Sequence, residues 1–293
     1  MTTFTITPSG LFSLREAIMF GFGQRAAADE SADVMRLAFV LDGHQEHVGV
    51  EVRQDDSGVH CVVSDPVSDV DAVRAQVARV LSLDHDGLAF AEVGRRDPVI
   101  GRLQLLAPGL RPPLFYSPYE AAAWSVLSAR RPAQQMAEVR TRLSAAHGRT
   151  FDLAGQRVTA LPTPAQLLRV TEFPGIPQVK MDRLHGVARA ALDGLLDVPR
   201  LTAMAPDDAM RDVQRLKGIG PFYSALIVIR ACGLADVLPV QEPKALEMAR
   251  RLYGLAETPD ADKLAELARA WQPFRTWAVV LIRAAGNRLL AAV

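Results

Sequence analysis

The chain has 293 residues, with 33 basic and 33 acidic side chains and 49% hydrophobic residues. This length and composition predict a soluble globular protein of two domains and argue against an intrinsically disordered chain. With only Cys61 and Cys232, the chain alone cannot form a disulfide framework, a four-cysteine zinc site or a four-cysteine iron–sulfur cluster. The sequence shows neither a secretion signal nor an apolar run near ~20 residues, so we expect a cytoplasmic protein without a membrane segment.

The charge is unequal between the two parts of the chain. Residues 1–112 carry 10 basic and 16 acidic side chains, whereas residues 113–293 carry 23 basic and 17 acidic ones. A chain that is neutral in sum is therefore polarised, and this pattern favours a polyanionic partner for the C-terminal part.

Residues 1–112 show the period-two alternation of antiparallel strands. Short alternating runs at residues 36–41, 47–53 and 59–63 are separated by turn sequences rich in aspartate and glycine. Val73, Val77 and Val80 then recur at helical spacing, which predicts a helix over residues 71–83. We predict a small α+β domain over residues 1–112.

Residues 113–293 are rich in helix starts, and we predict that this second region is all helical. Ser117-Pro-Tyr-Glu120 and Thr163-Pro-Ala-Gln166 have the hydroxyl, proline and acid or amide of a capping box, and Thr258-Pro259 repeats the first two elements. Helices are predicted over residues 121–129, 134–146, 165–170, 179–196, 207–216, 221–232, 243–253, 260–271 and 274–293.

A helical hairpin is predicted at Leu216-Lys-Gly-Ile-Gly-Pro221. Its Gly-x-Gly allows positive φ and close approach of a foreign backbone, and the proline opens the second helix. Free amides at that helix start would bind an anion such as a nucleic-acid phosphate, with Lys217 adding charge. We therefore select Lys217, Gly218, Ile219 and Gly220 as candidate residues for binding a nucleic-acid phosphate; an ordinary glycine cap between two helices is the alternative.

Glu242 precedes Pro243 at the start of another predicted helix. Glutamate is an uncommon N-cap residue, because shorter side chains fit the cap geometry better. Its simplest role is to complement the helix dipole, which contributes about 0.3–1 kcal/mol. Its position downstream of the hairpin also makes it a candidate for a reaction.

Several blocks of sequence, in the right order, resemble the helix–hairpin–helix DNA glycosylases and, within them, the branch typified by DNA-3-methyladenine glycosylase II. The similarity runs from about residue 83 to residue 284. It rests on Leu81-Ser-Leu-Asp-His-Asp86, Asp97-Pro98, Gly109-Leu-Arg111, Ser117-Pro-Tyr-Glu-Ala-Ala-Ala-Trp-Ser-Val-Leu127, Leu216–Pro221, Asp236-Val-Leu-Pro239, Leu252-Tyr-Gly254 and Trp271-Gln-Pro-Phe-Arg275. The resemblance implies a β-rich N-terminal domain followed by helix–hairpin–helix glycosylase domains.

The resemblance also implies excision of a damaged base from duplex DNA. Such an enzyme bends the DNA, fills the gap with a wedge side chain, flips the nucleotide and cleaves the N-glycosidic bond. The family uses an aspartate to stabilise the cationic sugar and to orient the attacking water. Counting back twelve residues from Gly254 places Glu242 at the matching position, with Gln241 and Asp236 as neighbours that could confuse the alignment. We expect Asp236 to be structural.

Other site residues are implied by matching the family motifs. Bifunctional relatives carry a Schiff-base lysine two positions after Gly-x-Gly, where this chain has Phe222, so a monofunctional enzyme is expected. Phe222, Tyr223, Trp124 and Arg283 are the candidate base-pocket residues. Core packing is the alternative for Phe222 and Trp124, and Arg283 stands where a pocket aromatic is expected.

Two arginines replace the usual intercalating turn of the branch. Arg130 and Arg131 are expected to probe the gap or hold a phosphate, with a solvated basic helix end as the alternative. The backbone carbonyls of Leu216 and Gly218 would hold a monovalent cation, as family hairpins often do. No organic cofactor is expected, and the six histidines, which form no zinc motif, are expected at the surface.

Two functions are compatible with these residues. The first is a monofunctional glycosylase, expected to be a monomer, that releases alkylated or bulkier damaged purines from duplex DNA. The second is a DNA-binding homologue that recognises distorted duplex but has lost base excision. Both predict DNA affinity that falls with salt and is independent of sequence.

Overall fold

The computed structural model describes residues 2–21, 33–240 and 242–291. Its N-terminal part contains a four-stranded antiparallel sheet in the order β1-β4-β3-β2. The strands are β1 (Thr2–Ile6), β2 (Met35–Val40), β3 (His47–Asp55) and β4 (Gly58–Val63). The three predicted strands are confirmed, and β1 is an additional strand whose threonine-rich alternation also follows period two.

Two helices cover one face of this sheet. The helices are α1 (Leu14–Phe20) and α2 (Val70–Val80), and α2 confirms the helix predicted from the valine spacing. Val73, Val77 and Val80 are fully buried against strand residues such as Val50 and Val52. This apolar layer is the core of the N-terminal part.

The next two helices pack with the C-terminal end of the chain. These are α3 (Gly87–Arg96) and α4 (Pro98–Leu106), which share a core with the last helix of the described chain. Phe90, for example, packs against Phe274 and Trp277 with ring centroids 5.5 and 5.1 Å apart. Residues before and after position 112 therefore contribute to one apolar core.

The region after residue 113 is mainly helical, as predicted. Its helices are α5 (Pro118–Ser128), α6 (Ala133–His147), α7 (Pro164–Leu167), α8 (Gln178–Leu192), α9 (Val198–Thr202), α10 (Pro206–Val213), α11 (Pro221–Cys232), α12 (Pro243–Leu252), α13 (Ala261–Leu267) and α14 (Arg275–Ala291), with a 3-10 turn at Ala268–Trp271.

One hairpin corrects the expectation that this region is all helical. β5 (Arg149–Leu153) and β6 (Gln156–Ala160) pair antiparallel, and their apolar residues Phe151, Leu153 and Ala160 pack against Ala38 of β2. Because the partner surface comes from residues more than 100 positions away, local helical signals did not reveal it. The mixed α+β class is confirmed.

Buried polar side chains join the parts of the molecule. Arg111 is only 1% exposed and donates hydrogen bonds to the carbonyls of Leu11, Ser82, His85 and Ser9. This arginine ties the N-terminal segment to the loop before α3, because its one guanidinium bonds carbonyls of both segments.

The Ser117 capping box is only half formed. The Ser117 hydroxyl accepts from the Glu120 N–H at 3.2 Å, but the Glu120 carboxylate does not return to the cap. It accepts instead from the N–H of Val40 at 3.1 Å and pairs with Arg140 at 2.9 Å. The carboxylate thus joins β2, α5 and α6. The box at Thr163 and Gln166 is complete, as predicted.

Two further expectations are corrected by burial and capping. His44 and His47 are only 5% and 9% exposed, so these histidines are not at the surface. Burial lowers the pKa of both imidazoles. The helix predicted over residues 260–271 begins at Ala261, but its cap is Asp260 and not Thr258: the Asp260 carboxylate accepts from the Lys263 N–H at 2.8 Å.

Candidate active site

The predicted helical hairpin is present between α10 and α11. Gly218 has φ of 96°, which favours glycine, whereas Gly220 is extended at φ −97° and ψ −176° and is the N-cap of α11. Ile219 donates its N–H to the Leu216 carbonyl at 3.0 Å. The Ile219 side chain is only 5% exposed and belongs to the core, so this side chain is not available to a ligand.

The two hairpin glycines have different surroundings. A methyl group at Gly218 would lie 2.9 Å from Cδ of Arg183, whereas one at Gly220 would meet, beyond its two chain neighbours, no atom of the described residues within 4 Å. The fold therefore does not itself require glycine at position 220. The open space in front of Gly220 leaves room for the backbone of another molecule.

The start of α11 offers donors to an anion. Pro221 is in the first turn, and no side chain caps the helix. Ser224 donates its N–H back to the Gly220 carbonyl at 2.9 Å, which closes the first turn and leaves the preceding amides at the helix tip. Lys217 is exposed on the same hairpin. Together these groups give a small site of positive potential suited to a phosphate.

A cleft of about 310 Å³ lies beside this hairpin. Pro221 and Phe222 of α11, Glu242 at the start of α12 and Arg283 of α14 all line it. Much of the remaining lining is apolar, including Leu226, Ile229, Val237, Leu238, Val279 and Val280. An apolar cleft with a few charged groups is typical of a ligand-binding site.

Glu242 is the acidic residue of the cleft that the sequence singled out. It is the N-cap of α12, yet its side chain makes no capping hydrogen bond. Its Oε2 instead accepts from Nη1 of Arg283 at 3.0 Å, and the two side chains are 22% and 40% exposed. The structure therefore brings Glu242, Arg283 and Phe222 to one cleft.

The two neighbours of Glu242 in the alignment differ from it. Asp236 accepts from Nε of Arg275 at 2.8 Å and from Nη2 at 3.0 Å, and it also accepts from the Arg275 N–H at 3.1 Å. These bonds tie the start of α14 to the loop after α11, which agrees with the structural role expected for Asp236. Gln241 lies outside the described residues.

The predicted pocket aromatics divide into two groups. Phe222 is 44% exposed and lines the cleft, which is unusual for a large apolar side chain in a well-packed helix. Tyr223 contacts the Phe222 ring edge-on at 5.3 Å but packs against the core, as does Trp124, and neither lines the cleft. The structure thus does not bring Trp124 and Tyr223 together with Glu242.

The arginine turn after α5 lies apart from the cleft lining. Arg130 and Arg131 are exposed, and Arg130 has φ of 57°. The turn is held from beneath by Lys180, whose Nζ donates to the carbonyls of Leu127 at 2.5 Å and Ala129 at 3.0 Å. Lys180 is 8% exposed, and burial, with nearby Arg131 and Arg183, lowers its pKa.

Sequence reasoning missed Lys180 as a support for this turn, because nothing in its local pattern distinguishes it from a surface lysine.

Among the described residues, no group of three or more histidine, cysteine, aspartate or glutamate side chains could hold a metal ion. Over the same residues, none of the helices is both long and apolar enough to cross a bilayer.

The fold is that of the helix–hairpin–helix DNA glycosylases. A 3-methyladenine DNA glycosylase from Archaeoglobus fulgidus superposes with a TM-score of 0.77 at 18% identity, covering 100% of both chains. An 8-oxoguanine glycosylase/lyase from Clostridium acetobutylicum superposes with a TM-score of 0.66 at 16% identity, covering 97% of this chain and 100% of that one.

Sequence comparison points to one branch of that fold. A DNA-3-methyladenine glycosylase of Bacillus subtilis is 22% identical over 201 residues, covering 67% of this chain and 66% of that protein. A Mycobacterium tuberculosis protein named probable bifunctional transcriptional activator/DNA repair enzyme AlkA is 28% identical over 232 residues, covering 75% of this chain and 44% of that protein. The chain thus spans less than two thirds of the length of these relatives. No protein-family model matches it.

These findings confirm the resemblance to the helix–hairpin–helix DNA glycosylases and to their DNA-3-methyladenine glycosylase II-like branch.

Proposed function

We propose that this protein is a monofunctional DNA glycosylase that excises alkylated or bulkier damaged purines from duplex DNA. The observation that carries the proposal is the position of Glu242, whose carboxylate lines an apolar cleft together with the first residues of the hairpin's second helix. A fixed carboxylate beside a cleft large enough for a base is the arrangement that this chemistry requires.

The proposed reaction uses the carboxylate electrostatically. An alkylated purine in the cleft leaves with the electrons of the N-glycosidic bond, and positive charge develops on the deoxyribose. The negative charge of Glu242 stabilises that sugar cation and orients the water that attacks it. An apolar lining strengthens this stabilisation, because few water molecules screen it.

The absence of lyase chemistry is part of the proposal. Strand cleavage by the related bifunctional enzymes needs a lysine amine at the position that Phe222 occupies here. Within the described part of the chain, no lysine lines the cleft. The expected product is therefore an abasic site with an intact strand, and the exposed Phe222 ring is proposed to stack on the extruded base.

The hairpin is proposed to hold the DNA backbone. The backbone amides of Gly218, Gly220 and the first turn of α11, with the charge of Lys217, would bind one phosphate at the tip of α11. Ile219, whose N–H is bonded to the Leu216 carbonyl, would anchor the turn in the core through its side chain. The carbonyls of Leu216 and Gly218 would hold a monovalent cation at the same turn, although that of Leu216 also accepts from the Ile219 N–H. Arg130 and Arg131 would enter or flank the gap left by the extruded nucleotide.

The non-catalytic alternative is not favoured. A homologue that only holds DNA has no need for a negatively charged side chain in an apolar cleft, where desolvation is costly. Glu242 is directed to that cleft instead of capping its own helix.

The experiment is a base-release assay with duplexes that contain 7-methylguanine, 3-methyladenine, ethenoadenine or hypoxanthine. Wild-type protein is expected to release at least one base, and Glu242→Gln is expected to lower its rate at least about 100-fold while DNA binding is unchanged. Glu247→Gln, which removes an exposed carboxylate from the same helix, is the matched control and should keep the wild-type rate. No release of any base by the wild-type protein would contradict the proposal.

A further inference from the structure

The carboxylate of Glu242 is not positioned by its own helix. Its carbonyl starts α12 by accepting from the N–H groups of Ala245 and Leu246 at 3.0 and 3.1 Å, but its side chain caps nothing. A glutamate without a local partner can adopt several rotamers, and one extra methylene shifts the carboxylate by about 1.5 Å relative to aspartate. Something outside α12 has to select one position.

Arg283 is that outside partner, and its helix is held firmly against α12. The side chains around it on α14 are buried, with Leu281 and Ile282 only 2% and 1% exposed. One turn further along, Gly286 approaches α12 so closely that an added methyl group would lie 2.4 Å from Cγ of Met248. This packing holds the backbone of Arg283 close to the start of α12, from where its guanidinium reaches Glu242.

A second ion pair on α14, between Arg275 and Asp236, has more hydrogen bonds than the pair of Arg283 with Glu242. Arg275 binds Asp236 through its backbone N–H, Nε and Nη2, and Nη2 also donates to the Asp236 carbonyl at 2.7 Å. That multiply bonded pair fixes the beginning of the 236–242 segment. The pair at the other end of the segment, Arg283 with Glu242, has one bond at 3.0 Å and opens onto the cleft.

We infer that Arg283 is a positioning residue for the reaction proposed above, and that it fixes the longer carboxylate of Glu242 in the reactive position. The inference rests on the proposed function. Glu242 and Arg283 then act together. Aspartate has fewer rotamers than glutamate, and the bond to Arg283 limits the rotamers of Glu242 in a similar way. An aspartate at position 242 would end about 1.5 Å short of Arg283, so it would lose this constraint.

The test is a double-mutant cycle on the single-turnover rate of base release, using the fastest wild-type substrate among duplexes with 7-methylguanine, 3-methyladenine, ethenoadenine or hypoxanthine. Arg283→Met is expected to lower the rate about 10- to 100-fold and to change the dissociation constant for the same duplex less than about twofold. Arg283→Lys should recover part of the rate, because an ammonium can still bind the carboxylate.

The cycle separates positioning from a general structural role. In a Glu242→Gln background, Arg283→Met should cause little further loss, because the arginine acts through the carboxylate. Glu242→Asp should be slower than wild type and nearly insensitive to Arg283→Met. The control is Arg288→Met, on the same helix, which removes a pair with Glu16 outside the cleft lining and should leave the rate within about twofold.

The two proposals fail in different ways. Suppose that the wild-type protein releases bases, and that Arg283→Met lowers the rate by the same factor whether residue 242 is glutamate or glutamine. The positioning role is then wrong and the proposed function stands. A wild-type rate in Arg283→Met would have the same meaning. If the wild-type protein releases no base, the proposed function is wrong and the positioning role falls with it.

Discussion

The charged side chains of the interior and the Glu242 carboxylate of the cleft differ in how many hydrogen bonds they make within the protein. Arg111 and the pair of Glu120 with Arg140 are almost completely buried and are bonded to several partners that lie far away in the chain. Glu242 is 22% exposed and, within the described residues, its carboxylate makes one hydrogen bond. Charged groups that make several hydrogen bonds within the protein hold its segments together. A charged group at a cleft that makes only one such bond can still bind a ligand.

This contrast explains why much of the family resemblance lies outside the cleft. The Ser-Pro-Tyr-Glu block joins the sheet to α6 through Glu120, and Tyr119 donates its hydroxyl to the Pro162 carbonyl at 2.8 Å. The Asp97-Pro98 block provides a carboxylate that accepts from Trp271 Nε1 at 2.8 Å and from the Tyr253 hydroxyl at 2.6 Å. These blocks identify the fold, and the few residues of the cleft carry the proposed chemistry.

The largest expected effect would come from breaking the buried pair. Arg140→Met removes the guanidinium that pairs with the Glu120 carboxylate, which is 1% exposed, so we expect a loss of about 3–5 kcal/mol in the free energy of unfolding. Urea unfolding measures it. Arg142→Met, at an exposed position of the same helix, should change the stability by less than about 0.5 kcal/mol. Equal losses of stability in Arg140→Met and Arg142→Met would contradict the structural role given to the buried pair.

The hairpin glycines provide a second comparison, between a residue required by the fold and one required by a ligand. Gly218→Ala is expected to cost about 1–3 kcal/mol of stability, because φ is 96° and the new methyl group meets Arg183. Gly220→Ala should leave the melting temperature unchanged and weaken duplex binding about tenfold, since its methyl group fills the space left for DNA. Normal DNA binding by Gly220→Ala would contradict the proposed role of the hairpin.

A smaller effect is expected from acidification. Burial lowers the pKa of His44 and His47 below the ordinary 6.5, so the folded protein binds these protons less tightly than the unfolded chain. Stability should be fully retained above pH 6.5 and should decrease as the pH falls, by at most about 1.4 kcal/mol per pH unit for each histidine.

Urea unfolding between pH 7.5 and pH 5 checks this slope. The double variant His44→Asn/His47→Gln keeps a residue that tolerates positive φ at 44 and an amide donor for the Leu161 carbonyl at 47. Its stability should depend less on pH than that of the wild type. An identical slope would exclude the two histidines as the cause.

The smallest effect on stability is expected in the cleft itself. Glu242→Gln removes a partly exposed ion pair, and such pairs contribute about 0–1 kcal/mol. Thermal unfolding of this variant should therefore resemble that of wild type even though base release is lost. A destabilisation comparable to that of Arg140→Met would mean that Glu242 is a structural residue like Glu120.

Local sequence patterns were sufficient to predict most elements of the fold. The strand alternation, the valine spacing of α2, the Thr163 capping box and the proline that opens α11 all depend on residues a few positions apart, so their physical cause is contained in the local sequence. The same holds for the hairpin, where the positive φ of Gly218 is a local property. The resemblance to the glycosylases also selected Glu242, Phe222 and Arg283, which meet in one cleft.

Only the tertiary structure decided which partner each of these side chains has. The pairing of Glu242 with Arg283 joins residues 41 positions apart, and the Glu120 carboxylate reaches Val40 over 80 positions instead of its own helix cap. Packing against distant surfaces likewise made β5 and β6 strands and placed Trp124 and Tyr223 against the core. A sequence states which groups a chain has, but burial and distance between remote segments determine which of those groups remain available to a ligand.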